Sequence, residues 1–189
     1  MGRHDRKDFI KILNALGLLF ICGLLGSAFY FQLSDHEIPC PLCLLQRLGL
    51  ILAGFGFYFN LRMKNSYSHY SLVILSAVFT SGVAIRQVLL HILPGEPGYG
   101  SILFGLHFYT WSLISSVFTI LIVVGIMILS DFSKELFMPQ FLPKYTKSLA
   151  DAVCLFFVFI IIVNAMFSFL ECGVGHCPDN PNTYYYLLK

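Results

Sequence analysis

Hydrophobic residues fill five long stretches of the chain, and shorter polar segments separate them. Each stretch is close to the roughly 20 residues that an α-helix needs to cross a lipid bilayer. None of the intervening segments shows the alternating pattern of a membrane β-barrel strand. The pattern therefore predicts an all-α integral membrane protein, a four-helix transmembrane bundle with an additional fifth C-terminal transmembrane helix. The predicted helices cover residues 9–33, 42–61, 70–93, 107–129 and 152–170.

The composition supports this assignment. Of the 189 residues, 57% are apolar and only 12% are charged, whereas soluble domains carry about a quarter charged residues. A soluble or disordered chain is therefore excluded, and a net charge of +2 without a dense basic stripe argues against nucleic-acid binding. We expect one membrane domain with a tail at residues 171–189. The first apolar run is longer than that of a usual signal peptide, so we expect it to be retained as a helix.

Basic residues indicate the orientation of the helices. Nine of the twelve Lys and Arg residues fall on one predicted side of the membrane. Cytoplasmic loops carry an excess of basic residues, so this side is predicted to be the cytoplasm. The N-terminus then lies inside and the tail outside. The nine residues are Arg3, Arg6, Lys7, Lys11, Arg62, Lys64, Lys134, Lys144 and Lys147.

The six cysteines divide into two groups under this topology. Cys22 and Cys154 lie within predicted helices, where an unpaired cysteine behaves as a small buried hydrophobic residue. The other four lie on the outer side, at or near the membrane surface. Disulfides persist there if that side is oxidising, as in a bacterial periplasm. These four are Cys40, Cys43, Cys172 and Cys177.

The first cysteine pair stands where the second helix is predicted to begin. Prolines at positions 39 and 41 suit this place, because their missing N–H groups cost no hydrogen bond in the first turn. The helix dipole and the unpaired N–H groups stabilise a thiolate here. Arg47 follows Cys43 by four residues on the same helix face, which favours Cys43 as the thiolate. A lipid-soluble quinone could reach Cys43 from the membrane, with Arg47 polarising its oxygen.

A polar pocket is predicted beside this pair. Arg86 lies roughly 10 Å below the outer end of the third helix, a depth comparable to that of Arg47. Together with Gln46, Gln87 and His91, the two arginines would line a pocket under the outer headgroups. The alternative is that the arginines extend toward lipid phosphates. This alternative stays open for Arg86, whereas the neighbourhood of Cys43 favours a function for Arg47.

The second pair, Cys172 and Cys177, follows the fifth helix. Four residues separate the two cysteines, and two of them are glycines, so the segment can close a small disulfide ring. Such a ring alone would be a staple for the tail. Because it shares the outer surface with the first pair, the two pairs can form a relay in which each exchange moves two electrons.

The residues around the first pair match a known family pattern. The run at residues 39–43 is followed by Gln46-Arg47, and Arg86-Gln87 is followed by His91 and Pro94. In these features, and in its layout over about residues 9–129, the sequence resembles the quinone-linked disulfide bond formation protein B (DsbB) family of bacterial inner membranes.

The resemblance implies a function and a role for each residue of the first pair. It implies electron exchange with ubiquinone or menaquinone, and reoxidation of a soluble periplasmic thioredoxin-fold oxidase of the DsbA type. Cys43 would be the quinone-facing thiolate, Arg47 its activator, and Cys40 the cysteine that exchanges with the second pair. The chain would cross the inner membrane several times, with its N-terminus in the cytoplasm and its C-terminus in the periplasm.

The chain also departs from the family. The family usually carries its second cysteine pair between the third and fourth helices, but the loop at residues 94–101 contains no cysteine here. The fifth predicted helix is another difference. We expect Cys172 and Cys177 to replace the missing loop pair, delivered to the same surface by the fifth helix.

Two other functions stay open. A metal-handling membrane protein could use the four outer cysteines, with His176, as a thiolate site, although we assign no metal. A non-enzymatic scaffold would use them only as structural disulfides. A c-type haem site is not expected because Leu44, rather than histidine, follows Cys43. In enzymes resembling vitamin K epoxide reductase, the CxxC motif comes late in the helix order, whereas it comes early here.

Two expectations concern the loop before the fourth helix and the start of that helix. Residues 101–106 are predicted to form a short interfacial helix. Tyr109 and Trp111 fit an aromatic belt at the membrane surface, a more common role for such residues than catalysis.

Overall fold

The computed structural model describes residues 3–35, 38–93, 95, 98–132, 146–173 and 177. Within these residues the chain forms five long helices, each with a segment long and apolar enough to cross a membrane. They are α1 (Arg3–Ser34), α2 (Pro41–Arg62), α3 (Tyr67–Leu90), α4 (Phe108–Phe132) and α5 (Thr146–Cys172). The prediction of an all-α integral membrane protein with a fifth helix is thereby confirmed. Pro94, Lys134, Lys144, His176 and the tail after Cys177 lie outside the described residues.

The helix boundaries differ from the prediction by a few residues. The helix α3 ends at Leu90, three residues early, and His91 caps it by donating its backbone N–H to the carbonyl of Val88 at 3.1 Å. A proline follows soon after in the sequence, and helices usually end before such a residue. At the other extreme, α5 is longer than predicted and includes Cys172.

The helices α1 to α4 form the bundle, and α5 packs on its outside. Contacts are extensive between α2 and α3, between α3 and α4, and between α1 and α2. In contrast, α1 and α4 touch only weakly, which leaves a seam between them. The helix α5 packs mainly against α1 and to a smaller extent against α2. We call the end where α2 begins and α5 finishes the cysteine end.

The helix α5 docks through the hydrophobic core. Phe157 is fully buried there, against a place where α2 carries Gly54. A Cβ atom at Gly54 would collide with the Phe157 ring, so the missing side chain permits the close approach of the two helices. At the end opposite the cysteines, Arg62 of α2 pairs with Asp151 of α5 at 2.6 Å. These contacts make α5 an integral part of the packed structure.

Cys22 and Cys154 are free and belong to the same buried core. They are 1% exposed each. Their predicted behaviour as small buried hydrophobic residues is confirmed.

The prediction of a short interfacial helix at residues 101–106 was wrong, because this segment forms a β-hairpin. The strands β1 (Ile102–Leu103) and β2 (Leu106–His107) pair in antiparallel fashion. Both residues of the turn have positive φ, 51° at Phe104 and 81° at Gly105. Two consecutive positive φ values are typical of the two-residue hairpin turn and cannot occur in a right-handed helix. The hairpin places Phe104 at its tip, where the residue is 89% exposed.

Candidate active site at the cysteine end

The first cysteine pair is built into the start of α2. Cys40 is the N-cap residue, with extended backbone angles, and Pro41 is the first helical residue. The Sγ of Cys40 accepts a hydrogen bond from the backbone N–H of Cys43 at 3.1 Å. The two residues form a disulfide with a Cα–Cα distance of 5.0 Å. Both sulfurs therefore lie at the positive end of the α2 dipole, where a thiolate is stabilised on reduction.

An amide from α3 contacts both sulfurs. Gln87 is buried, and its Nε2 lies 3.3 Å from the Sγ of Cys40 and 3.6 Å from the Sγ of Cys43. Its Oε1 accepts a hydrogen bond from the Nε2 of Gln46 at 2.7 Å. The two glutamines that the sequence assigned to the pocket thus contact each other, and Gln87 donates toward the disulfide. Such a donor favours the charged form of a sulfur over the thiol.

Arg47 is held by the preceding helix. Its Nη1 donates to the Oε1 of Gln32 at 2.6 Å, and its Nη2 donates to the carbonyl oxygen of Ala28 at 3.1 Å. Both acceptors belong to α1, and Gln32 is almost fully buried. The guanidinium is therefore fixed in orientation at the α1–α2 interface. Sequence reasoning missed Gln32, although a glutamine near the end of an apolar span is itself an indication of a polar partner.

A cavity of about 220 Å³ borders the first pair. Segments of α1, α2 and α4 line it, together with the loop between α3 and α4. Most of its wall is apolar, and its polar groups include the sulfur of Cys43 and the side chains of Gln46 and Arg47. Such a wall suits a flat, largely apolar ligand with a few hydrogen-bond acceptors. The principal apolar lining residues are Leu24, Phe31, Ile38, Leu50, Leu103, Phe108 and Trp111.

Tyr109 and Trp111 belong to the wall of this cavity. Trp111 donates its Nε1–H to the carbonyl of Leu103 at 2.9 Å, which joins α4 to the hairpin. Tyr109 is 7% exposed. The interpretation of these two aromatics as a membrane belt missed this placement, because sequence spacing does not fix the rotation of a helix about its axis.

Three of the predicted pocket residues, Arg86, Gln87 and His91, do not line the cavity. Arg86 is exposed on α3. The Nδ1 of His91 lies 2.9 Å from the carbonyl of Gln87, and its ring stacks on Tyr109 with centroids 5.7 Å apart. The opposite contact of Tyr109 is His107, at 5.2 Å. His91 therefore contacts Tyr109, a residue of the cavity wall, without lining the cavity itself.

The loop between α3 and α4 is tied to the cysteine motif. The hydroxyl of Tyr99 donates to the carbonyl of Ile38 at 2.6 Å. Ser101 donates to the Oδ2 of Asp35 at 2.7 Å. These bonds hold the loop over the segment that leads into α2, so the loop completes one wall of the cavity.

The second cysteine pair closes a ring at the end of α5. Cys172 is the last residue of the helix, and it forms a disulfide with Cys177 across a Cα–Cα distance of 4.5 Å. Both residues are half-buried. Among the described residues, no group of three His, Cys, Asp or Glu side chains is arranged as a metal site. His176, considered as a metal ligand, lies outside the described part of the chain.

Known proteins match the first half of the chain. The sequence model of the family described as "Disulfide bond formation protein DsbB" matches residues 10–101. Disulfide bond formation protein B of Nitrosomonas eutropha is 38% identical over 85 residues, which cover 43% of this chain and 52% of the relative. The protein of the same name from Xylella fastidiosa is 32% identical over 83 residues, 41% of this chain and 48% of the relative.

A third relative, disulfide bond formation protein B 1 of Pseudomonas fluorescens, is 33% identical over 97 residues, which cover 50% of this chain and 54% of the relative. The chain thus spans about half the length of the curated relatives that it matches. No solved structure matches it significantly. The family match includes α2, α3 and most of α1, with the first cysteine pair and Arg47, and it ends before α4 and α5. Over residues 10–101, this chain is therefore similar to the family described as "Disulfide bond formation protein DsbB".

Proposed function

We propose that this chain is a quinone-dependent thiol:disulfide oxidoreductase of the bacterial inner membrane that sustains disulfide bond formation. It takes electrons from a periplasmic thioredoxin-fold dithiol protein of the DsbA type. It passes them to the membrane quinone pool, ubiquinone or menaquinone. The observation that carries the proposal is the position of Cys43, which is bonded to Cys40 and borders a mostly apolar cavity together with Arg47.

The orientation in the membrane follows from the basic residues of the sequence. They assign the N-terminus to the cytoplasm and the cysteine end to the periplasm. An oxidising periplasm is also the compartment in which two disulfides persist.

Electrons enter through the second pair. A thiolate of the soluble partner attacks the disulfide between Cys172 and Cys177, and the partner's second thiolate resolves the mixed disulfide. The partner leaves oxidised, and the pair holds two electrons as two thiols. The reduced pair then attacks Cys40 and transfers the two electrons to the first pair. Each exchange forms one S–S bond for each one that it breaks. The shared location of both disulfides at the cysteine end supports this order.

The residues around the cavity fit a quinone head group. The wall is largely apolar, as a quinone ring requires, and Arg47 and Gln46 can donate hydrogen bonds to a carbonyl oxygen. When bound, a quinone supplies an acceptor for two electrons and two protons. Arg47 and Gln46 would hold one of its oxygens, and Cys43 lines the same cavity.

Two features favour a thiolate at Cys43 over one at Cys40. Cys43 lines the cavity, whereas Cys40 is 6% exposed and serves as the helix cap. Arg47 lies one turn along the same helix. For Arg86, Gln87 and His91, a direct role in holding quinone stays a prediction.

Thiol trapping in native membranes tests the proposal. The redox state of each cysteine is scored with the quinone pool first oxidised and then depleted. We expect both pairs to become reduced together when quinone is depleted, because the relay then has no acceptor. Variants in which Ala replaces one cysteine of the second pair, Cys172→Ala and Cys177→Ala, should accumulate a mixed disulfide with a soluble protein.

Cys22→Ala and Cys154→Ala are the matched controls, since both thiols are free and buried in the core. These variants should respond to quinone as the wild type does. Reduction of the first pair alone would make the second disulfide a structural staple and bring the partner directly to Cys40. Redox states indifferent to quinone would contradict the enzymatic proposal and favour a scaffold.

A further inference from the structure

Gln32 is a buried amide of α1 beside the cavity. It is 3% exposed and lies two residues before the end of the helix at Ser34. Burial of an amide is costly unless its polar atoms find partners, and a polar side chain inside a membrane span usually has a function. The proposed relay gives Gln32 no function of its own.

The oxygen of this amide faces Arg47. The Nη1 of Arg47 donates to the Oε1 of Gln32 at 2.6 Å, a short contact as expected for a charged donor. A guanidinium only donates hydrogen bonds, so the atom of the amide that faces it must be the oxygen and not the nitrogen. The contact therefore fixes the orientation of the amide as well as the direction of the guanidinium.

A second acceptor stands one turn earlier on the same helix. The Nη2 of Arg47 donates to the carbonyl oxygen of Ala28 at 3.1 Å, and Ala28 precedes Gln32 by four residues. Residues four apart lie on one face of a helix, so α1 presents these two acceptors side by side. A planar guanidinium that bonds both of them at once has little freedom to rotate.

The guanidinium that α1 holds is also part of the cavity wall. Gln32, Arg47 and Cys43 all line the cavity beside the first disulfide. A charged donor assists a reaction most when it is already placed where charge develops, and a displacement of about 1 Å can slow the reaction by about a hundredfold. An arginine without an anchor extends toward the polar surface of the membrane. The acceptors on α1 keep Arg47 at the cavity instead.

We propose that Gln32 is a positioning residue that holds the guanidinium of Arg47 at the cavity, where it acts on the electron acceptor and on the Cys43 thiolate. The inference rests on the proposed function, because that function assigns both actions to Arg47. It goes beyond that function by naming the side chain that keeps Arg47 in place. The helix α1 thereby takes part in the reaction through a specific contact.

The first test measures quinone reduction in the full-length protein. Gln32→Met removes the acceptor at a similar side-chain length, whereas Gln32→Asn keeps the amide but is one methylene too short for the contact. Dithiothreitol reduces a short-chain ubiquinone through the protein, and absorbance gives the rate. We expect kcat to fall by about tenfold or more in both variants. The change in KM should be smaller, because the hydrogen bond from Arg47 strengthens as charge develops.

The second test needs no quinone. The reduced protein is alkylated with iodoacetamide at a series of pH values, and labelled Cys43 is quantified by mass spectrometry. A guanidinium that retreats by a few ångströms stabilises the thiolate less, so alkylation at neutral pH should slow by about fivefold in both variants. At alkaline pH, where the thiols are deprotonated, the rates should converge. A change of accessibility alone would alter the rate equally at every pH.

Two further variants serve as background and control. If Gln32 acts through Arg47, then Gln32→Met slows alkylation no further in an Arg47→Met background. Asn14→Leu is the matched control on α1, because it removes another buried amide, which donates to the hydroxyl of Tyr70 at 2.8 Å. That variant should lose stability without changing kcat or the alkylation rate.

Wild-type rates in Gln32→Asn would overturn the inference, because that variant keeps the amide without the contact. The same loss with and without Arg47, or an equal loss in Asn14→Leu, would also overturn it. Gln32→Asn keeps the test available if Gln32→Met fails to fold. Failure of the proposed function has a different signature, since the redox states of the wild-type cysteines would then be indifferent to quinone.

Discussion

The Nε2 of Gln87 lies 3.3 Å from the Sγ of Cys40, so a side chain of α3 donates a hydrogen bond to the disulfide at the start of α2. The same amide accepts a hydrogen bond from Gln46 through its oxygen. One buried glutamine therefore links the most extensively packed pair of helices to the proposed redox chemistry.

Gln87→Leu should remove the hydrogen bonds that this amide donates to the sulfurs and accepts from Gln46. Removal of the donor is expected to slow alkylation of the reduced first pair at neutral pH by about tenfold. The Nε2 of Gln46 loses its acceptor, so the free energy of unfolding should fall by about 1–3 kcal/mol. Thermal unfolding in detergent measures the second effect. In the Gln46→Leu/Gln87→Leu double variant, we expect stability to recover and alkylation to stay slow. Normal alkylation in Gln87→Leu would contradict the assigned role.

Arg47→Met should leave the fold intact but slow quinone reduction. Loss of one preorganised donor beside developing negative charge typically reduces turnover by about a hundredfold or more, and quinone absorbance measures the rate. Arg62→Met is the matched control on the same helix. Its arginine is partly exposed and pairs with Asp151 far from the cavity, so the loss should stay below about 1 kcal/mol of stability. A wild-type rate of quinone reduction in Arg47→Met would contradict the activating role proposed for Arg47.

The Cys172→Ala/Cys177→Ala double variant separates the two pairs. We expect it to lose oxidation of a reduced thioredoxin-fold partner, because the proposed relay accepts electrons from that partner through this pair. Reduction of quinone by dithiothreitol should continue through Cys40 and Cys43, which a small thiol can reach directly. Both reactions are followed by quinone absorbance. Undiminished oxidation of the partner would show that the second disulfide has only a structural role.

Gly54→Ala tests how α5 docks on α2. The added methyl group would collide with the ring of Phe157, so we expect a loss of about 1–3 kcal/mol in thermal unfolding. Gly23→Ala is the control, because a Cβ at Gly23 meets nothing within 4 Å. That variant should be neutral or slightly more stable. Equal thermal stability of the two variants would contradict the close approach of α2 and α5 at Gly54.

The sequence predicts the helices better than it predicts the walls of the site. Apolar length indicates each membrane helix, and the prolines around Cys40 indicate where α2 begins. The contributions of Tyr109 and Gln32 depend on how α4 and α1 are rotated about their axes, which packing decides.

The hairpin shows a different limit. Apolar residues at positions 102–106 are compatible with a short helix or with paired strands, because a run this short has no clear period. The turn at Phe104 and Gly105 decides between them, since it requires two positive φ values. A single glycine beside a bulky aromatic is a weak signal for such a turn.

The described residues of α5 contribute nothing to the cavity wall, and the weakly packed seam between α1 and α4 lies along the bundle below that cavity. A soluble protein arriving at the end of α5 and a ligand diffusing within the bilayer would approach the molecule from different directions. Neither substrate would need to depart before the other binds. Steady-state kinetics should then follow a two-site ping-pong scheme, in which donor and acceptor bind at separate places in either order and the reduced cysteine pairs carry the electrons between the two half-reactions.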